Sequence, residues 1–110
     1  MRSWILAIGI AVLASAPASS ARAADGKALY DAQCAKCHGE TGMADTKTGK
    51  AAKAKQFKGD EKLEGDDVAE VVTKTVRDPE KKKHREVAKK VSDEDLAAIA
   101  VYVKALATAP

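Results

Sequence analysis

The sequence predicts an all-α fold, and three observations carry that prediction. No stretch alternates between apolar and polar residues at period two, so nothing reads as a half-buried strand. Residues 66–77 and 96–107 repeat apolar side chains at the spacing of a helix packed on one face. Ser92 and Asp95 form the S-x-x-D pattern that caps a helix at its N-terminus.

The chain of 110 residues has room for one small domain. Its first stretch, MRSWILAIGIAVLASAPASSARAADG, divides it into a signal peptide over 1–23 and a domain over 24–110. Arg2 supplies a positive start, Trp4 to Ala14 an apolar run, and Ala21-Arg22-Ala23 a small-x-small cleavage site, with cleavage after Ala21 as the alternative. The apolar run is well short of the ~20 residues that span a bilayer. No cysteine at the cleavage point could take a lipid. These features predict export to a bacterial periplasm, with no stable membrane insertion once the leader is removed.

Export changes the charge. Arg2 and Arg22 leave with the leader, so seventeen basic residues face sixteen acidic ones and the mature chain carries +1. The basic pI of about 8.9 is therefore no argument for nucleic acid, and the aromatic interleaving that stacks bases is missing. The core is thin. Leu, Ile, Val and Phe make up 14 of the 87 mature residues, 16%, below the ~20% under which chains tend toward disorder. Small domains of this kind need a disulfide, a metal or a cofactor to fold.

The elements follow in order. The first helix is expected from Gly26 to His38, with Asp25 as its N-cap. Gly39 and Gly42 punctuate a polar loop, and the lysine-rich residues 43–62 allow one short helix near Lys50 to Lys55. The second strong helix is DDVAEVVTKTVR, 66–77, with Val68, Val71, Val72, Thr75 and Val76 on one face and two aspartates at its N-terminus. Asp78-Pro79 ends it. The last helix follows Ser92, with Leu96, Ile99, Ala100, Val103, Leu106 and Ala107 on its apolar side.

The chemistry is concentrated in CAKCH, residues 34–38, which holds both cysteines and one of the two histidines. Cys34 and Cys37, nearly one helical turn apart, share a side. They could close a redox disulfide, hold two corners of a zinc site, or bond two substituents of one planar cofactor. A thioredoxin-like site needs a βαβ context that is missing. A structural zinc needs four N or S ligands, and after the pentad only His84 remains. A surface disulfide beside an incidental histidine is the bland reading. C-x-x-C-H is the pattern of covalent c-type haem attachment, with Cys34 and Cys37 as thioether donors and His38 as an iron ligand.

DGKALYDAQCAKCHG and VSDEDLAAIAVYVKAL together resemble the first and last helices of the class I monohaem cytochromes c, in their small bacterial form. The resemblance covers essentially the whole mature chain. It implies a compact class I fold, three main helices wrapped around one covalently bound haem c and its iron. It also implies that Gly26 and Tyr30 meet Ile99 and Tyr102 where the terminal helices cross. Two departures stand out. Many relatives fix the proximal histidine with the carbonyl of a proline in the following loop, but no proline lies between His38 and Asp78. Most relatives complete the iron with a methionine shortly before the last helix, whereas KKKHREVAKKV offers His84 there.

His84 is accordingly the expected distal ligand, giving cofactor-binding residues Cys34, Cys37, His38 and His84. The composition of its neighbourhood, rich in lysine, reads instead as a solvated charge run. Met43 is the alternative: the five residues from His38 reach about 17 Å when extended, enough to round a haem edge. A lysine ligand or an open site completes the choices. The expected function is soluble electron transfer, without catalysis, at a lower potential than His/Met relatives, by a monomer that meets redox partner proteins and no nucleic acid. A gas-binding or peroxidase-like module, or a subunit of a larger respiratory complex, are the competing readings.

Overall fold

Helix α1 begins well before its apolar pattern does. In the computed structural model, which describes Gly9 and residues 18–110, α1 spans Ala18–Gln33. Asp25, expected as the cap, lies inside the helix. The reason is local: between Ala18 and Gly26 the chain is rich in alanine and has no proline, so helix propensity carries the turn upstream. Arg2 and nearly all of the apolar run Trp4 to Ala14 lie outside the described residues, and Ala21-Arg22-Ala23 falls on α1. Among the described residues, no helix is long and apolar enough to cross a membrane.

A turn at Cys34 (φ −117°) separates α1 from the short α2, Ala35–His38. Backbone bonds bridge that turn: Cys34 N–H donates to Tyr30 O at 2.7 Å and His38 N–H to Cys34 O at 3.0 Å. The expected helix from Gly26 to His38 therefore exists as two segments hinged at the first cysteine. Helix α3 spans Lys47–Ala52, three residues earlier than expected, because Thr46 caps it by accepting the Gly49 N–H at 2.9 Å. A 3-10 turn, Glu61–Leu63, leads to α4, Val68–Arg77. Asp66 and Asp67 form the turn before α4 and make no side-chain cap.

Two elements were not legible beforehand. A 3-10 turn over Lys82–His84 runs directly into α5, Arg85–Lys90. Then α6, Asp93–Thr108, opens on the expected capping box, with Asp95 N–H donating to Ser92 Oγ at 3.1 Å and Ser92 N–H donating to Asp95 Oδ2 at 3.0 Å. No strand occurs among the described residues.

The core lies where α6 crosses α1 and α4. Tyr30, Leu96 and Ile99 are fully buried, with Val68, Val72, Val91, Ala100, Val103 and Ala107 around them. Gly26 makes the crossing with α1 possible: a Cβ there would run into the Ala98 carbonyl and reach 3.4 Å from the Ile99 nitrogen. The Tyr30 ring then packs on Tyr102 at 5.1 Å and on Phe57 at 6.1 Å, geometries that aromatic pairs favour. The expected meeting of Gly26 and Tyr30 with Ile99 and Tyr102 is what the structure has. It holds α2, at the end of α1, in a fixed place over α3.

Candidate haem site

The pentad is anchored from several sides. At the end of α2, carbonyls without helical partners need donors from elsewhere. Thr46 provides one, its hydroxyl lying 2.7 Å from Lys36 O and 3.2 Å from Cys37 O. Gly49 lets α3 come close enough for this, since a Cβ there would strike the Cys37 carbonyl. Cys34 and Cys37 are both free thiols, each half-buried. Burial pushes the Cys34 thiol up to about 11, with Cys37 adding to the shift. A redox-active thiol needs the opposite displacement, so Cys34 is poorly suited to attack a disulfide.

His38 is half-buried at the C-terminal end of α2. Its Nδ1 lies 2.9 Å from the carbonyl oxygen of Lys55. A carbonyl can only accept, so Nδ1 carries the hydrogen and Nε2 keeps its lone pair in the neutral ring. The loop after the pentad thus provides the orienting acceptor without a proline. On one side His38 stacks against Phe57, ring centres 4.6 Å apart and planes 25° apart. Burial lowers the affinity of His38 for a proton; the bond to Lys55 opposes this and the nearby His84 adds to it.

His84 comes to the same place from the other end of the chain. It closes the 3-10 turn before α5, half-buried, with Nδ1 3.3 Å from Thr75 O on α4. By the same reasoning its Nε2 is the free nitrogen. The two imidazole ring centres lie 6.4 Å apart with their planes 25° apart, too far for direct contact. The neighbouring Lys83 reaches across to Ala52 O at the end of α3, 3.1 Å. Met43 stays on the surface, 40% exposed. No group of three or more His, Cys, Asp or Glu that could hold a metal ion occurs among the described residues.

Residues 21–103 match the family described as cytochrome C oxidase, cbb3-type, subunit III. The chain belongs to that family. It is a class I c-type cytochrome domain, all-α, and membership implies one covalently bound c-type haem with its iron. Neither the curated proteins nor the solved structures yield a match. The donor set of this cytochrome fits such a group: two free thiols three residues apart, a half-buried imidazole directly after them, and a second imidazole whose ring centre lies 6.4 Å from the first. Phe57, the Lys55 and Thr75 carbonyls and Thr46 surround these side chains. Residue identity could have pointed to Thr46, a helix-cap type three residues before Gly49, and to Phe57 as the one phenylalanine. A carbonyl leaves no mark in a sequence.

Proposed function

We propose that this cytochrome is an exported one-electron carrier in which Cys34 and Cys37 would hold haem c by thioethers and His38 and His84 would bind its iron. The observation that carries this reading is the 6.4 Å separation of two nearly parallel imidazoles. A metal–imidazole bond of about 2.0–2.1 Å on each side of one metal brings the ring centres to about 6.3 Å. When bound, haem c supplies an iron that gains and loses one electron. The protein's residues set the conditions for that exchange. The Lys55 and Thr75 carbonyls turn each imidazole and raise its donor strength. Phe57 covers one face of His38. Two imidazole ligands, in place of imidazole and methionine, favour the oxidised state and a lower potential. With both axial positions taken, no vacancy is left for a substrate, which supports a carrier rather than an enzyme.

A second reading has one specific support. The matched family is described as an oxidase subunit, so a stable place in a membrane oxidase complex competes with a free periplasmic carrier. Recovery from cells as a free monomer supports the carrier; co-purification with a membrane oxidase supports the subunit.

Ligand substitution tests the site. The oxidised protein should be low-spin and lack the weak long-wavelength sulfur-to-iron band. His84→Ala should open the reduced protein to carbon monoxide, His84→Met should raise the potential if its sulfur reaches the iron, and Met43→Leu should change neither. A His84→Ala spectrum and potential identical to the parent would remove His84 from the site.

A further inference from the structure

The segment that carries His84 is long, and little holds it. Residues 78–92 leave α4 at Arg77 and rejoin the body at Asp93. Its one α-helix, α5, has six residues, far fewer than an isolated helix needs. Val87 is only partly buried, Val91 alone is deeply buried, and the rest of α5 is half-buried or exposed. Packing is incomplete on the outer side as well. An open cleft of about 270 Å³, lined by Val76, Pro79, Arg85 and Ala88 among others, separates the end of α4 from α5.

One side chain crosses the base of this loop. Arg77, the last residue of α4, donates from Nη1 to Ala88 O at 3.3 Å and from Nη2 to Val91 O at 3.2 Å. Its Nε and Nη2 both lie 2.9 Å from Asp93 Oδ1 at the start of α6. Ala88 O is one of the last carbonyls of α5 and has no acceptor role inside the helix. A cation at that end also interacts favourably with the helix dipole. The ion pair alone is half exposed, and such pairs contribute little. The planar fork is what matters, because it joins the ends of three helices with a geometry that lysine cannot reproduce.

From this we propose that Arg77 is a positioning residue for the distal ligand: by closing the base of the 78–92 loop it sets how often His84 leaves the iron. The inference rests on His84 being that ligand. His84 sits toward the middle of the loop, and its own tie to the body, the 3.3 Å bond to Thr75 O, is long. Opening at the base frees the imidazole without unfolding the α1–α6 core.

The test is carbon monoxide binding to the reduced, haem-loaded protein, followed over a range of gas concentration. If His84 must leave first, the rate reaches a plateau equal to the opening rate of the loop. Arg77→Ala should raise that plateau roughly tenfold or more, given the strength of bonds to a charged donor. Arg77→Lys should recover part of the parental value, and Asp93→Asn should fall between the two. The increase should exceed any increase in global unfolding rate measured in urea, which a merely structural role would not produce. An Arg77→Ala plateau equal to the parent's, or one that only tracks global unfolding, overturns the proposal; for a variant that does not load haem, Asp93→Asn and Arg77→Lys are held to the same criterion. A parent that binds the gas rapidly with no plateau removes His84 ligation itself, a separate result.

Discussion

Tyr30 donates its hydroxyl hydrogen to Gly39 O at 2.7 Å, in a fully buried position. The bond ties the interface of α1 and α6 to the residue directly after His38. Gly39 O also accepts the Gly42 N–H at 3.2 Å, so losing the tyrosine hydroxyl does not leave the carbonyl unpaired. Tyr30→Phe should therefore cost only about 1 kcal/mol, read from the urea midpoint. A loss several times larger would mean that the hydroxyl supports more of the pentad than this one bond.

Haem should be required for cooperative folding. Fixing the backbone costs roughly 1–2 kcal/mol per residue, and the buried apolar set is dominated by valine and alanine. A Cys34→Ala, Cys37→Ala protein should show no sharp thermal transition by circular dichroism. A steep transition in that variant would contradict the argument.

Acid should weaken the fold through His38. Burial, opposed by the Lys55 carbonyl and aided by His84, holds its folded-state pKa below the usual 6.5, and an iron on Nε2 would displace it in the same direction. The unfolded chain then takes up a proton that the folded chain resists, so unfolding free energy rises with pH. This contribution is complete above ~6.5 and declines as pH falls through that value toward the lower folded pKa. Urea midpoints should drop between pH 7 and pH 5, a range in which few carboxylates titrate. Flat midpoints across that range would show that His38 is as readily protonated folded as unfolded.

Lys81, Lys82 and Lys83 are exposed beside His84, and we propose this basic run as the surface that meets an acidic redox partner. Electron-transfer association should slow as salt is added, because charges are screened beyond a Debye length of ~10 Å at 0.1 M. A rate independent of ionic strength would leave these lysines as solubilising charge alone.

What could be read in advance was local. The α6 cap needs only Ser92 and Asp95 three positions apart, and its apolar stripe is continuous. The pentad is five adjacent residues. The meeting of Gly26 and Tyr30 with Ile99 and Tyr102 came from the resemblance, not from spacing. What could not be read depends on contacts distant in sequence. Helix α5 has only Val87, with Val91 just past its end, to mark a face, and its C-terminal end is tied to a residue that precedes it by a whole loop. The upstream extension of α1 had the reverse cause: nothing in Ala18 to Asp25 stops a helix, and an apolar pattern cannot report a missing stop signal. Phe57 was visible as a residue but not as the ring that stacks on His38.

Both imidazoles are turned by main-chain oxygens, those of Lys55 and Thr75. Every amino acid brings the same oxygen, so these two positions can drift in type while the rings keep their acceptors, provided the chain follows the same path. Substitution of side chains cannot delete either acceptor. An insertion or deletion between residues 39 and 55 would move the Lys55 oxygen relative to His38. Ring orientation here thus depends on loop length more than on residue type at the two accepting positions.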